Sequence, residues 1–181
     1  VTAAPTLLPG EVWAVKGGGL AGKLIAIGAA LRGLPSDDQH VAVMSHYDAK
    51  LIPWGIEGRP GGVGWVDMRK YIHSPYSCSN HDQPIDDATR ARLAVRMKTV
   101  LGAAYDWQGI AMDAAQSVDP NVKFADEQWK TYGREGHYVC SSYAAWLYAA
   151  ENVPHPGAHH ERLCTPADWR KWNLEDGWKT S

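Results

Sequence analysis

The run His137-Tyr138-Val139-Cys140-Ser141-Ser142-Tyr143-Ala144-Ala145-Trp146-Leu147-Tyr148 constrains this chain most. Its apolar residues recur at helical spacing from Cys140 onward, so it predicts a buried helix that opens on a cysteine. A hundred residues upstream, His40 opens the strand-like run Val41-Ala42-Val43-Met44. A helix and a strand of this kind must bury their apolar faces against each other or a common core. A thiol at a helix start and an imidazole at a strand end are also the parts of a nucleophilic cysteine enzyme.

The 181 residues fit one domain, taken as residues 1–181, long enough to bury a core without staples. With 45% hydrophobic and 21% charged residues the composition is that of a globular protein. A formal net charge of -2 and the lack of a basic run argue against a nucleic-acid partner. The longest apolar stretch, Leu20 to Leu34, is short and carries Lys23 and Arg32, so no transmembrane segment is expected. No signal-peptide pattern is visible at the N-terminus, which leaves the compartment open. Cys78, Cys140 and Cys164 are an odd count; a Cys78–Cys164 disulfide would leave Cys140 as the thiol, and a reducing compartment would leave all three.

Glu11 to Val15 reads as a strand. Gly17-Gly18-Gly19-Leu20-Ala21-Gly22-Lys23-Leu24 nearly matches a phosphate-binding loop but ends in Leu24, where magnesium needs a hydroxyl. A glycine turn into a helix bearing Leu24, Ile27, Leu31 and Leu34 is the better description, and no cofactor is expected. Val63 to Met68 is a third strand candidate, and 71–84 a polar surface loop. Asp86 or Asp87 caps a helix carrying Leu93, Met97, Val100 and Leu101. Tyr105-Asp106-Trp107 leads into a short helix ending near Ser117. The Cys140 helix extends to about Asn152, and Thr165-Pro166 starts a terminal helix with Thr165 as its cap.

His40 to Ser45 and Leu51 to Glu57 form a hairpin. A two-residue turn at Asp48-Ala49 pairs Tyr47 with Lys50 and puts Val41, Val43, Ser45, Ile52, Trp54 and Ile56 on one apolar face. The other face holds His40 opposite Glu57, with Cβ atoms about 5 Å apart. It also holds Ala42 and Gly55, small enough to let a helix approach.

These residues supply a triad. The N-terminal dipole of its helix favours the thiolate of Cys140, His40 holds the proton, and Glu57 fixes the imidazole tautomer. Backbone N–H groups at the helix start can receive an oxyanion. Tyr138, Ser141 and Trp54 are candidate substrate contacts. His137, three residues before Cys140, is the reserve base. His155, His159, His160, Glu161 and Cys164 have zinc-binding chemistry, but Pro154, Pro156 and Gly157 break the spacing that would align them, so no metal site is expected.

Pro9-Gly10-Glu11-Val12, Gln39-His40-Val41-Ala42-Val43 and Cys140-Ser141-Ser142 resemble the circularly permuted NlpC-type, YiiX-like cysteine peptidases of the papain fold. In that family the histidine strand precedes the cysteine helix, and a polar residue follows on the next strand, the place of Glu57. Tyr105-Asp106-Trp107 and Thr165-Pro166-Ala167-Asp168-Trp169 are also similar to recurring segments of the group, whereas Glu11 stands where aspartate is usual. The resemblance covers about Gly10 to Trp169. It implies an α+β, permuted papain-like fold, with a small antiparallel sheet or half-barrel packed on the Cys140 helix. It also implies a thiol hydrolase working through an acyl-enzyme, with a peptidoglycan stem peptide as first substrate. Two alternatives stay open: a lipid ester or amide hydrolase or acyltransferase of the lecithin:retinol acyltransferase-like type, and a non-catalytic wall-binding or virion module. The Trp-, Ala- and Gly-rich composition suits a bacterial or phage wall enzyme, with virion proteins as possible partners.

Overall fold

A computed structural model describes residues 6–16, 40–74, 76–107, 110–111, 115, 119, 137–156 and 164–175. The phosphate-loop-like segment after Lys16, the helix expected over Leu24 to Leu34, most of the stretch after Trp107, and His159, His160 and Glu161 lie outside the described residues.

The protein is α+β. Five strands, β1 (Val12–Val15), β2 (His40–Tyr47), β3 (Pro53–Arg59), β4 (Gly62–Asp67) and β5 (Cys78–Ser79), form one antiparallel sheet in the order β4-β3-β2-β1-β5. A short helix α1 (Arg69–Ile72) follows β4, so the loop expected over 71–84 contains both a helical turn and an edge strand. Then come α2 (Asp87–Arg96) with a 3-10 turn at Met97–Val100, and the two-stranded parallel pair β6 (Ala104–Tyr105) and β7 (His137–Tyr138). The chain continues into α3 (Cys140–Ala149) and α4 (Pro166–Leu174).

Local chemistry fixes the helix starts. Asp86 accepts the backbone N–H of Thr89 at 2.9 Å and so caps α2. Thr165 and Asp168 cap each other's backbone around Pro166, which needs no N–H in the first turn.

Two apolar layers cover the sheet. On one face Val12, Ala14, Val41, Val43 and Ile56 meet α3 through Tyr143, Ala144, Leu147 and Tyr148, with Leu93 of α2 and Trp169 of α4 closing the core. On the other face Trp13, Val15, Ala42 and Met44 meet Val66, Met68 and Tyr71. The Trp169 indole donates to the Ser141 carbonyl at 3.2 Å, tying α4 to the first turn of α3.

The hairpin differs from its expected form in two ways. Its loop spans residues 48–52, because Tyr47 pairs with Pro53. Asp48 ties that wider loop, accepting the N–H groups of Lys50 (2.8 Å) and Ile52 (2.9 Å) and the Trp54 indole (3.2 Å). Glu57 therefore faces Ala42, two residues along from the expected His40, and the count shifts once more at an irregularity between Met44 and His46. The slip beside the site is even, so His40 and Glu57 keep a common face and become diagonal neighbours. The second difference concerns the helix. A Cβ on Gly55 would run into Met68 Sδ and Cγ, and Ala42 lies in the same layer. The small residues thus receive Met68 and its neighbours, while α3 packs on the opposite face.

Candidate active site

Cys140 is the first residue of α3 and is fully buried. The cap before it is Val139, whose N–H donates to Ser142 Oγ at 3.2 Å. The first helical bond runs from the Tyr143 N–H to the Val139 carbonyl at 2.9 Å. The amides of Cys140, Ser141 and Ser142 therefore precede the helical ladder and have no acceptor within it.

Gly58 brings this helix end onto β3. A Cβ there would lie 3.2 Å from the Cys140 nitrogen and 3.3 Å from its Cα, so the backbones touch where a side chain would intrude. The β2–β3 ladder ends at Ala42 and Glu57, although β2 begins at His40 and β3 continues to Arg59. His40 lies where the two strands part, with its side chain about 15% exposed. From there its ring serves both neighbours. Nε2 is 2.6 Å from Glu57 Oε2, which leaves Nδ1 for the sulfur, and the ring lies close enough to Cys140 to feel the charge of its side chain. Cys140, His40 and Glu57, expected to act together, are thereby neighbours in space.

Burial alone would lower the basicity of His40. The negative charge of the adjacent Cys140 first, and then Glu57, outweigh it and push His40 up to about 10. Glu57 shows the reverse balance. Its burial favours the acid form, but His40 first, then the Tyr71 hydroxyl and Lys70, hold it below the ordinary glutamate range. Tyr71 donates to Glu57 Oε2 at 2.6 Å, and Lys70 Nζ approaches the Tyr71 oxygen at 3.2 Å. Burial and then the Glu57 charge raise Tyr71 well above its usual range, so it stays a donor. Arg59 Nη1 stands 3.6 Å from the other carboxylate oxygen, Oε1.

Sequence reasoning did not find Tyr71, Lys70, Arg59 or Tyr105. Tyr105 sits on β6 opposite Tyr138, and its phenol is close enough to feel the charge of Cys140. Burial and that charge raise it above the usual tyrosine range, and it makes no hydrogen bond among the described residues. Only the family resemblance of Tyr105-Asp106-Trp107 signalled it, and nothing local signalled the others.

Of the expected substrate contacts, Ser141 is the second residue of α3 and is buried, and Tyr138 packs against Tyr143 and Trp146. Trp54 lies at the loop end of β3, held to Asp48, and is not brought to Cys140. His137 lies on β7 opposite Ala104. His155 binds the Val153 carbonyl at 2.9 Å, and no group of metal-binding side chains occurs among the described residues. Cys78, Cys140 and Cys164 are all thiols, none of them in a disulfide.

The chain matches no protein-family model and no curated protein. Among the described residues no helix is long and apolar enough to cross a membrane.

Proposed function

We propose that the protein is a thiol hydrolase of the permuted papain-like kind, with Cys140 as nucleophile, His40 as proton carrier and Glu57 as the group that orients His40. The observation that carries this is a single imidazole held between a helix-start thiol and a buried carboxylate. Core cysteines rarely have a charged histidine beside them that is itself buttressed by an acid.

The chemistry follows from these positions. The Cys140 thiolate attacks a carbonyl carbon and forms a tetrahedral oxyanion. The Cys140 amide, which precedes the helical ladder, and the Tyr105 phenol, which feels the charge of Cys140, receive the charge of that oxyanion. As the intermediate collapses, the carbon–nitrogen or carbon–oxygen bond breaks and His40 gives its Nδ1 proton to the leaving group. Water then attacks the thioester, His40 takes a proton from it, and the acid product leaves with the thiolate restored. Glu57 stays ionised throughout and carries the imidazolium, with Tyr71 fixing its carboxylate.

The first substrate class is a peptide amide of the bacterial cell wall. Incubation of wild type and Cys140→Ala with purified peptidoglycan, and separately with short acyl esters, tests both class and chemistry. Release of peptide amines by wild type alone supports the amidase; cleavage of esters alone moves the assignment to lipid acyl groups. Equal behaviour of both proteins on both substrates ends the enzyme proposal.

One observation favours a second reading. Cys140 has no exposed surface, so chemistry requires the site to open, whereas a wall-binding or virion module of the same fold would keep its sulfur covered. Alkylation separates the two: iodoacetamide modifies Cys140 of a working enzyme under native conditions and spares that of a closed module.

A further inference from the structure

Arg59 is the last residue of β3, one position after the glycine that touches Cys140. Its side chain is 54% exposed and makes no hydrogen bond among the described residues. The guanidinium is nevertheless placed. It folds back across Gly64 of β4, where a Cβ would lie 3.3 Å from Nη2 and 3.9 Å from both Cζ and Nε. Gly64 pairs with Glu57, so the missing side chain leaves a shelf beside the catalytic carboxylate. There Nη1 is 3.6 Å from Glu57 Oε1, beyond hydrogen-bond reach.

Among the described residues the charges around this shelf do not cancel. Cys140 and Glu57 are met by His40, by Arg59 and by Lys70, which stands over Tyr71. The neighbouring Arg69 is already held by Asp67. The excess is positive, and the unsatisfied group is a planar fork of donors whose geometry suits a carboxylate.

We propose that Arg59 reads a carboxylate on the substrate, next to the scissile carbonyl, with Lys70 adding positive potential and Gly64 supplying the shelf. The preferred substrate is then a peptide that carries a free acid beside the bond to be cut, and neutral acyl esters or lipid amides are disfavoured. This assignment rests on Cys140 being the nucleophile, as proposed above.

The probes are iodoacetate and iodoacetamide, which have one leaving group and differ in bearing a carboxylate or a neutral amide. The rate at which each alkylates Cys140 is followed by peptide mass mapping in the full chain. His40 favours iodoacetate in every variant, so the decisive quantity is the change in the iodoacetate-to-iodoacetamide ratio. Arg59→Gln is expected to lower that ratio about fivefold at low salt and leave the iodoacetamide rate within about twofold. Arg59→Lys keeps part of the ratio, and Gly64→Ala, which displaces the guanidinium while retaining its charge, lowers it. An unchanged ratio in Arg59→Gln overturns the proposal while the thiol-hydrolase assignment stands. Equal loss of both rates also overturns it, since Arg59 then supports the triad without reading an anion. No alkylation of Cys140 by either reagent removes the nucleophile and both conclusions with it.

Discussion

Gly58 and Cys140 touch through their backbones: a single methyl on Gly58 would sit 3.2 Å from the nitrogen that opens the helix. This contact lets a helix on one face of the sheet deliver its first residue to a histidine and a glutamate that belong to the other. It turns two separately ordinary features, a helix-start thiol and a strand-end imidazole, into one site.

Gly58→Ala is expected to cost about 1–3 kcal/mol, because the neighbour is backbone and must move as a unit. The loss of Cys140 alkylation should exceed what that destabilisation explains, and Gly58→Val should be worse. Urea unfolding beside alkylation kinetics checks both. A Gly58→Ala protein with native stability and native rate would show that the close approach is incidental.

Tyr71 and His40 share one oxygen of Glu57, each at 2.6 Å. Tyr71→Phe leaves that oxygen with one donor fewer in a buried place. Activity should fall about tenfold while the fold persists, with the loss in kcat rather than KM. Glu57→Gln should cost more, because the imidazolium then lacks its counter-charge. Steady-state kinetics on the cleaved substrate gives the split.

The pH dependence follows from His40. Its folded value, about 10, lies above the unfolded 6.5, so the proton is bound more tightly in the native state. The stabilisation is fully present below pH 6.5 and is lost as the pH rises through about 10. Activity should fall along the same alkaline limb, since the leaving group needs the His40 proton. Replacing Cys140 with Ala removes the charge that chiefly raises His40, so its titration should move to lower pH. A histidine NMR titration of wild type and Cys140→Ala reads this, and an unmoved His40 would show that the two groups are not paired.

Tyr105→Phe removes a donor near the sulfur and leaves the triad untouched. The rate of acyl transfer should fall about 10- to 100-fold with KM little changed, and iodoacetamide alkylation, which forms no oxyanion, should keep its rate. Parallel loss of alkylation would assign Tyr105 to shaping the Cys140 helix.

Much of the site was legible because its signals are local. Period-two alternation placed His40 and Glu57 on one face, and an even slip in pairing preserved that face although the expected turn was too short. The caps at Asp86 and Thr165 and the helix start at Cys140 are written in adjacent side chains and backbone. The length of the 48–52 loop was not legible, because Asp48 closes it through three donors from different residues.

The sequence by itself determined the thiol, imidazole and carboxylate of the candidate site, the helix that begins at Cys140 and the shared face of His40 and Glu57. Each depends only on the spacing of neighbours along the chain. The tertiary structure decided which face of the sheet receives that helix, and that Met68 takes the space beside Gly55. It also decided that Tyr71, Arg59 and Tyr105 gather around the triad. These depend on how the side chains of separate segments fill one volume, which local periodicity does not encode.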